Sequence, residues 1–501
     1  MLNSIMTWVM RKRIHQIDLF IKYPLDVQNE LLHSLISTAK NTEWGIKFDY
    51  QSISTIQDFK NRVPISTYED IFPFIERLLL GENNLLWPGK LEWFAKSSGT
   101  TNSRSKFIPV TREALDDCHY KAGKDMLSLY VNNFNYSQPF KGKTLSIGGS
   151  HEVNPDNPNI SYGDVSAVLM QNLPLWAEFI RTPKLKTALL PTWEEKLAVM
   201  VIETSKVNVT NLAGVPTWIL VLFQKIIETN NLDSMLDIWP NLEWFAHGGV
   251  SFDPYREQFK KLIPSDNMNY MEIYNASEGF FGIQDIPNAD DMLLMLDYGM
   301  FYEFLPMEDI GKENPKTLQL DEVVLGKNYA LIISTNAGLW RYMIGDTIKF
   351  TSINPFRIKI TGRTKHFINA FGEEVIIENA EDAIKYACRI TETSILDYTA
   401  GPIFIGDKSK GGHEWLIEFE KPPKDLDKFT SLLDSKLREL NSDYDAKREK
   451  NIALAQPKIT SLEKGTFYKW MGKRGKLGGQ NKVPRLANNR EYLDSILELI
   501  S

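Results

Sequence analysis

Short apolar runs that indicate strands alternate with stretches that indicate helices through the middle of the chain, from about residue 91 to residue 350. The strand-like runs are 145–147, 207–212, 244–247, 270–274 and 329–334. The helical stretches are 111–133, 193–205 and 216–230. Strands that alternate with helices predict a mostly parallel sheet with helices packed on its faces.

The segments on either side of this alternation have other patterns. Residues 1 to about 90 predict helices joined by short loops, and the strand-rich segment 292–350 predicts a small β unit. The run 357–362 ends the large part of the chain. A helical stretch at 376–388, a strand-like run at 415–420 and a second helical stretch at 426–440 follow it.

These patterns predict an α/β protein of two parts. We expect a large multi-lobed N-terminal domain, residues 1–361, in which mixed or parallel sheets are flanked by helices and joined by a β unit. We expect a small mobile α+β C-terminal domain, residues 362–501, to follow it as a cap.

Composition narrows the classes of protein to which the chain can belong. Hydrophobic residues make up 43% of the 501 residues and charged residues 24%, which excludes a disordered or coiled-coil chain. The net charge of −7 disfavours a nucleic-acid partner, and no apolar stretch is long enough for stable membrane insertion. The two cysteines, Cys118 and Cys388, cannot build a disulfide framework and fit a reducing, cytoplasmic compartment. We expect a monomer or a weak homodimer.

The most uneven charge distribution lies near the C-terminus, between residues 464 and 490. This stretch holds eight basic residues, five glycines and no acidic residue. The basic residues are Lys464, Lys469, Lys473, Arg474, Lys476, Lys482, Arg485 and Arg490. Two interpretations are equally open: a solvated loop with incidental charge, or a mobile basic element that meets an anion such as a phosphate. A nucleic-acid patch is a third and less favoured interpretation, because the rest of the chain offers no matching basic surface.

The strongest local signal for chemistry is the loop K-S-S-G-T-T-N-S-R-S-K at residues 96–106. It follows a strand-like run and precedes a helix that Thr111 opens. Its hydroxyls, its glycine and its final lysine suit a polyphosphate, because backbone N–H groups and hydroxyls donate to phosphate oxygens and the lysine supplies charge. The spacing of a Walker P-loop is absent, and by composition alone a plain turn remains open.

Three further segments make the interpretation of this loop more specific. They are Y-N-A-S-E at 274–278, W-R-Y-M-I-G-D at 340–346 and T-G-R-T-K at 361–365. With the loop, they resemble in order the motifs of the adenylate-forming superfamily, which includes acyl-CoA synthetases, peptide-synthetase adenylation domains and luciferases. The late segment G-G-Q-N-K-V-P-R at 478–485 narrows the resemblance to the auxin-responsive acyl acid amido synthetases, the Gretchen Hagen family.

The resemblance implies ATP and Mg²⁺ as cofactors and assigns roles to residues of this chain. The group that would hold the β- and γ-phosphates of ATP is Ser97, Ser98, Thr100, Thr101 and Lys106. Ser277 would donate to the α-phosphate, and Glu278 would ligate Mg²⁺. Tyr274 would lie against the adenine or ribose, and Asp346 would accept hydrogen bonds from the ribose hydroxyls. Lys482 would reach the α-phosphate and the substrate carboxylate when the cap closes.

Several of these assignments have alternatives. Lys106 and Lys482 are the predicted catalytic residues, although other lysines of the basic stretch compete with Lys482. Arg363 and Lys365 belong to the predicted hinge and nucleotide site, and a structural role for Arg363 is equally open. Gly249 would let a flat base approach the backbone, or it would form a strand-to-helix turn.

Three functions are compatible with this resemblance. An ATP-dependent acyl acid amido synthetase would adenylate a carboxylic acid, release pyrophosphate and transfer the acyl group to the amine of an amino acid. An acyl-CoA synthetase would use a thiol instead of the amine. A nucleotide-binding protein of the same fold would not turn over. The motif layout favours the first, with a small carboxylic acid and an amino acid as partners.

Overall fold

The chain begins with a layer of helices, as its sequence predicts. The computed structural model describes residues 2–97, 106–149, 151–190, 192–249, 252–364, 367–368, 375–403, 411–441, 444–445, 448, 454–477, 482–487 and 489–500. Helices α1 to α6 span Leu2–Arg11, Ile14–Lys22, Pro24–Ala39, Glu43–Lys47, Ile56–Arg62 and Tyr68–Leu79. Ile17 and Phe20 of α2 are buried, and Thr55 with Asp58 forms a capping box that starts α5.

A small sheet carries the two ends of the predicted phosphate loop. Its strands are β1 (Trp93–Ser97), β2 (Lys106–Val110), β4 (His151–Val153) and β5 (Ser161–Gly163), in the order β2-β1-β5-β4. β1 and β2 are antiparallel, with Ser97 opposite Lys106. The residues between them, 98–105, lie outside the described part of the chain.

The largest sheet within the described residues has eleven strands. They are β3 (Lys143–Ser146), β6 (Arg181–Thr182), β7 (Val209–Gly214), β8 (Trp244–Gly248), β9 (Asn269–Ala276), β10 (Gly279–Ile283), β11 (Met292–Leu294), β12 (Met300–Pro306), β13 (Asn328–Thr335), β14 (Tyr342–Ile353) and β15 (Phe356–Arg363). Their order is β12-β13-β14-β15-β11-β10-β9-β8-β7-β3-β6.

The direction of the strands divides this sheet in two at β9. From β6 to β9 all neighbouring strands are parallel, and from β9 to β12 all are antiparallel. The mostly parallel sheet is therefore found in the first half only. The predicted β unit exists as the antiparallel half of the same sheet, because β10 and β11 hydrogen-bond it to the parallel half.

Helices cover the large sheet and separate its parallel strands. They are α7 (Tyr120–Asn133), α8 (Val165–Gln171), α9 (Leu175–Ile180), α10 (Leu185–Ala188), α11 (Trp193–Thr204), α12 (Pro216–Asn230) and α13 (Arg256–Leu262). A π-helical turn, Ala114–His119, precedes α7, and short 3₁₀ turns lie at Tyr50–Ser52, Met235–Asp237, Asp253–Tyr255, Met307–Asp309 and Leu320–Glu322. Thr111 caps the π-helical turn, since its Oγ1 accepts from the N–H of Ala114 at 3.0 Å.

The C-terminal part, called the cap below, folds around its own core. Its elements are β16 (Phe367–Ile368), β17 (Val375–Ile376), α14 (Ile377–Thr391), β18 (Ser394–Ile403), β19 (Gly412–Lys421), α15 (Leu426–Leu440), β20 (Lys458–Leu462), α16 (Thr466–Lys473) and α17 (Glu491–Ile500). β18, β19 and β20 form one sheet.

The hydrophobic cores of the two parts are separate. The buried clusters of the N-terminal part, called the body, take their residues from positions up to Ile358, and those of the cap begin at Ile368. The fold class predicted from the sequence is confirmed. The boundary between residues 361 and 362 remains a prediction, and it lies inside β15. Among the described residues, we find no helix with the length and apolar character needed to cross a membrane.

Candidate active site

One cavity, of about 610 Å³, lies between the body and the cap. It brings together seven residues that the sequence assigns to the site and that are far apart in the chain. These are Lys106, Gly249, Tyr274, Ser277, Glu278, Asp346 and Lys482. A concave site of this size, with several convergent polar groups, suits a small-molecule ligand.

The remaining predicted site residues have a partial description or none. Ser98, Thr100, Thr101 and Lys365 lie outside the described residues. Ser97 ends β1 opposite Lys106, and Arg363 ends β15 opposite Asp346, but only the backbone of these two residues is described. Their roles stay predictions.

Tyr274 and Asp346 form the most buried polar pair of the predicted site. The Tyr274 hydroxyl donates to Asp346 Oδ2 at 2.7 Å, and both residues are buried. Tyr274 comes from β9 and Asp346 from β14, which lie on opposite sides of β10, β11 and β15 in the sheet. The bond fixes the Asp346 carboxylate in one orientation, and an ionised carboxylate can accept several hydrogen bonds.

A tight hairpin presents Ser277 and Glu278. Ala276 at the end of β9 pairs with Gly279 at the start of β10, so Ser277 and Glu278 are the two residues of the turn. Ser277 is buried and Glu278 is half-buried, and both line the cavity. The turn therefore places a hydroxyl and a carboxylate at the end of the strand that carries Tyr274.

Lys482 crosses from the cap to a glycine turn of the body. Its Nζ lies 2.9 Å from the point that a Cβ on Gly249 would occupy. Gly249 follows β8 and has a φ of +84°, which is favourable for glycine and costly for other residues. The glycine thus satisfies both requirements at this turn, the backbone conformation and the space for the lysine.

Lys106, at the start of β2, contacts another residue of the body, Tyr68. Its Nζ lies 5.5 Å from the centroid of the Tyr68 ring, which is within the range of a cation–π interaction. The Tyr68 hydroxyl in turn accepts from the backbone N–H of Phe107 at 2.8 Å. These contacts fix the start of β2, where the predicted phosphate loop ends.

Polar contacts hold the cap against the body beside the cavity. Lys385 Nζ of α14 lies 2.7 Å from Asp253 Oδ2, and Arg485 Nη2 donates to the Tyr255 hydroxyl at 3.0 Å. Arg485 also forms an ion pair with Asp397 of the cap. The segment that contains Lys482 is therefore anchored on both parts.

Glu272 is a cavity residue that the motifs do not identify. It lies in β9, and burial raises the pKa of its carboxyl to about 7, with the negative charges of Asp253 and Glu381 adding to the effect. A carboxylate inside the otherwise apolar run 270–274 was the available signal in the sequence. Glu272 itself is half-buried, whereas its neighbour on β8, His247, is fully buried, and desolvation lowers the pKa of His247 to about 3.

Arg341, within the 340–346 motif, has a structural position. Its guanidinium forms a buried ion pair with Glu303 at 2.9 Å and donates to the carbonyl of Val63 at 2.6 Å. It does not line the cavity. The motif thus contributes Asp346 to the site, while its arginine ties α5 to the sheet.

Models of one protein family match most of the chain. The GH3 family N-terminal domain matches residues 13–268, the GH3 family central domain matches residues 293–363, and the GH3 family C-terminal domain matches residues 378–491. Among curated proteins, indole-3-acetic acid-amido synthetase GH3.4 of Arabidopsis thaliana is 23% identical, over 95% of this chain and 91% of its own length.

Solved structures show the same fold. The GH3.15 acyl acid amido synthetase matches with a TM-score of 0.79 and 16% identity, over 95% of this chain and 93% of that chain. A 2-hydroxyisobutyryl-CoA ligase in the postadenylation state, in complex with 2-HIB-AMP, matches with a TM-score of 0.60 and 12% identity, over 95% and 91%.

Proposed function

The chain belongs to the GH3 family, and from this premise we propose that it is an ATP-dependent acyl acid amido synthetase. It adenylates a carboxylic acid with release of pyrophosphate and then transfers the acyl group to the amine of an amino acid. The observation that carries this proposal is the cavity between body and cap, which unites seven residues predicted from separate motifs.

The body residues bind the nucleotide. Asp346, oriented by the Tyr274 hydroxyl, accepts hydrogen bonds from the ribose. Ser277 donates to the α-phosphate from the tip of the β9–β10 hairpin. Lys106 and the residues before it hold the terminal phosphates. Because these groups stand on paired strands, they are positioned before the nucleotide arrives.

Lys482 supports the first chemical step. An oxygen of the acid's carboxylate attacks the α-phosphorus, the bond to the β-phosphate oxygen breaks, and pyrophosphate leaves with the electron pair. Both reactants are anionic, so a cation at this point lowers the barrier by stabilising the charge that develops. The position of the Lys482 ammonium at Gly249 supports this role.

Transfer of the acyl group completes the reaction. The neutral amine nitrogen attacks the acyl carbon, AMP leaves as the phosphate anion, and the amine loses a proton to give the amide. The acid and the amine must enter between the two parts of the protein. We propose that the cap moves about the predicted hinge, residues 362–365, between the two steps.

Mg²⁺ fits the residues at the phosphate end of the cavity. Among the described residues, no group of three His, Cys, Asp or Glu side chains could hold a metal ion alone. Glu278 would therefore share the ion with phosphate oxygens and water, which is how Mg²⁺ commonly binds. When bound, the ion would neutralise charge on the phosphates.

We also propose a cytoplasmic monomer or weak homodimer that acts on a small carboxylic acid and an amino acid. Size-exclusion chromatography with light scattering measures the oligomeric state. A molar mass well above twice 57.5 kDa would contradict it.

Pyrophosphate exchange tests the proposed function. The folded protein is mixed with ATP, Mg²⁺ and labelled pyrophosphate, and a panel of aromatic and aliphatic acids is added one at a time. We expect label to enter ATP only when an accepted acid is present. Product analysis with amino acids against coenzyme A then distinguishes an amide from a thioester. Protein that binds ATP but forms neither AMP nor labelled ATP with any acid would favour a nucleotide-binding protein without turnover.

A further inference from the structure

Helices α1 and α2 are fixed to the body along one side. The guanidinium of Arg13, in the turn between them, forms an ion pair with Asp125 of α7 at 2.7 Å, and the Asp125 side chain is fully buried. Met10 of α1 and Ile17 and Phe20 of α2 are buried in the hydrophobic core of the body. Because these contacts lie on one side of each helix, the opposite sides face solvent in a fixed orientation.

The solvent side of these two helices carries large apolar side chains. Leu19 follows the buried Ile17 by two residues, which is about 200° around a helix, so the two side chains point in opposite directions. Leu19 is 56% exposed, and Trp8 of α1 is 61% exposed. We define the α1–α2 face as the exposed residues Trp8, Val9, Leu19 and Tyr23. Single exposed apolar residues are ordinary, but a group of them on successive helices indicates an interaction surface.

Two aromatic rings of the α1–α2 face are each paired with a lysine. The Lys12 Nζ lies 3.6 Å from the centroid of the Trp8 ring, and the Lys22 Nζ lies 5.2 Å from the centroid of the Tyr23 ring. Both distances are within the range of a cation–π interaction, and both lysines are exposed. Each pair therefore presents an apolar ring with a positive charge beside it.

The α1–α2 face is positively charged, although the chain as a whole has a net charge of −7. Residues 2–22 hold four basic residues and one acidic residue, Asp18. Asp125 neutralises Arg13, which leaves Arg11, Lys12 and Lys22 as exposed cations. Asp26, in α3, lines a separate groove with residues of α5 and β12. A partner that matches this face must therefore accept apolar side chains and carry negative charge.

An anionic lipid surface has this chemistry. Tryptophan and tyrosine rings settle at the level of the lipid headgroups, and lysine side chains extend from there to charged groups. An amphipathic helix can lie in the plane of such a surface without crossing it. A second copy of this chain matches less well, because a two-fold contact would set this basic face against the same basic face.

We propose that the α1–α2 face binds the surface of a membrane that contains anionic lipids. Helices α1 and α2 lie along the surface, Trp8, Leu19 and Tyr23 enter the headgroup layer, and the two lysines meet lipid phosphates. The described residues that line the cavity between body and cap include none of this face, so the attachment does not occupy the active site. Membrane attachment is thus a property separate from the proposed reaction.

Co-sedimentation of the full chain with lipid vesicles tests this attachment. Vesicles of phosphatidylcholine alone are compared with vesicles that also contain phosphatidylserine, over a series of lipid concentrations. We expect the protein to sediment with the phosphatidylserine vesicles and to bind phosphatidylcholine much more weakly. Added salt should weaken the binding, because ions screen the lysines from the charge of the lipid.

The double variant Lys12→Glu/Lys22→Glu tests the charged part of the face. Each basic residue near an anionic surface strengthens binding about fivefold, so the apparent affinity for phosphatidylserine vesicles should fall about 30-fold or more. Lys424→Glu/Lys428→Glu is the matched control, since it changes the net charge equally at two exposed lysines of the cap. The control should keep most of the wild-type affinity.

The double variant Trp8→Ala/Leu19→Ala tests the apolar part of the face. Binding strength rises with the apolar area that enters the headgroup layer, so the affinity should fall about tenfold. Phe179→Ala/Ile202→Ala is the matched control, because Phe179 and Ile202 are 78% and 59% exposed on other helices of the body. This control should sediment as the wild type does. All changed side chains are exposed, so each variant should keep the wild-type melting temperature.

Three results would overturn this assignment of the α1–α2 face. The first is equal binding of the wild type to the two kinds of vesicle, or binding to neither. The second is an equal loss of affinity in Lys12→Glu/Lys22→Glu and its control. The third is a wild-type dimer, measured by light scattering, that Trp8→Ala/Leu19→Ala converts to a monomer, which would place a second copy on the face.

Discussion

The body and the cap contribute to the same cavity in different ways. From the body, Tyr274, Ser277 and Asp346 are buried, and each stands on or beside a strand paired on both sides. From the cap, Lys482 is exposed, and it belongs to a segment without regular secondary structure. In the function we propose, the body therefore offers a preformed binding surface, and the cap supplies a cation to it.

This difference separates binding from chemistry. Groups on paired strands resist displacement, because moving one of them breaks several backbone hydrogen bonds. The cap segment that carries Lys482 is held by side-chain contacts, such as those of Arg485 with Tyr255 and Asp397, and by two backbone hydrogen bonds to Ala400, both made beyond Lys482. We expect changes in the body to alter nucleotide affinity and changes in the cap to alter rate. Four substitutions test this division.

Lys482→Ala should have the largest effect of the four substitutions. It should lower the rate of the adenylation step and leave the affinity for ATP nearly unchanged. Loss of one group that stabilises transition-state charge costs about 10²- to 10³-fold in rate. We expect acid-dependent pyrophosphate exchange to fall by that factor, while the dissociation constant of ATP, measured by calorimetry, changes little. Lys473→Ala is the matched control, since Lys473 is an exposed lysine of the same basic stretch and lies outside the cavity. Equal losses in the two variants would remove the catalytic role of Lys482.

Asp346→Ala should weaken nucleotide binding. Hydrogen bonds to a charged group contribute about 1.5–3 kcal/mol, so the dissociation constant of ATP should rise about 10- to 100-fold. Tyr274→Phe is the milder comparison, because it removes the bond that orients the carboxylate but keeps the carboxylate. Full ATP affinity in a folded Asp346→Ala would place the ribose elsewhere.

Gly249→Ala tests the point where the two parts meet. Its added methyl group would meet the Lys482 ammonium, and its φ of +84° would strain the backbone. Gly311→Ala is a close control, since Gly311 has the same φ of +84° and nothing within 4 Å of the added carbon. We expect both variants to lose about 1 kcal/mol of stability and only Gly249→Ala to lose about tenfold in exchange rate. Equal rates would show that the lysine can bind without this space.

Lys385→Ala should have the smallest effect. The ion pair of Lys385 with Asp253 is partly exposed, and such pairs contribute about 0–1 kcal/mol. We expect the exchange rate to change by less than about fivefold, with a weaker effect at high salt because ions screen the pair. The exposed cap lysine in Lys428→Ala provides the baseline. A loss as large as that of Lys482→Ala would mean that the cap depends on this one contact.

The sequence predicts the parts of the site that have local signals. Ser277 and Glu278 sit in a hairpin turn, and Gly249 sits where a strand ends, so neighbouring residues in the chain determine their geometry. The resemblance to the family then implies that Ser277, Glu278 and Gly249 belong to the same nucleotide-binding site. The alternation of strands and helices predicted the parallel strands β7, β8 and β9 to within a few residues of their ends.

Other features depend on residues that are distant in the chain. The environment of Glu272 is built by side chains from β8, α13, β15 and α14, and no local pattern records that arrangement. Arg341 belongs to a motif, but its partner Glu303 lies 38 residues earlier, in β12. The continuity of the large sheet is also non-local, because it depends on the pairing of β11 with β15.

The pairing of Asp346 with Arg363 constrains the length of the chain at the junction between body and cap. The N–H of Thr364, one residue further on, donates to the carbonyl of Gly345 at 2.7 Å. A slip of one residue between β14 and β15 would turn Asp346 to the other face of the sheet, away from Tyr274. Insertions and deletions should therefore be poorly tolerated beside Gly345 and Thr364. The outer turn at residues 354–355, at the far end of the same hairpin, should accept changes in length.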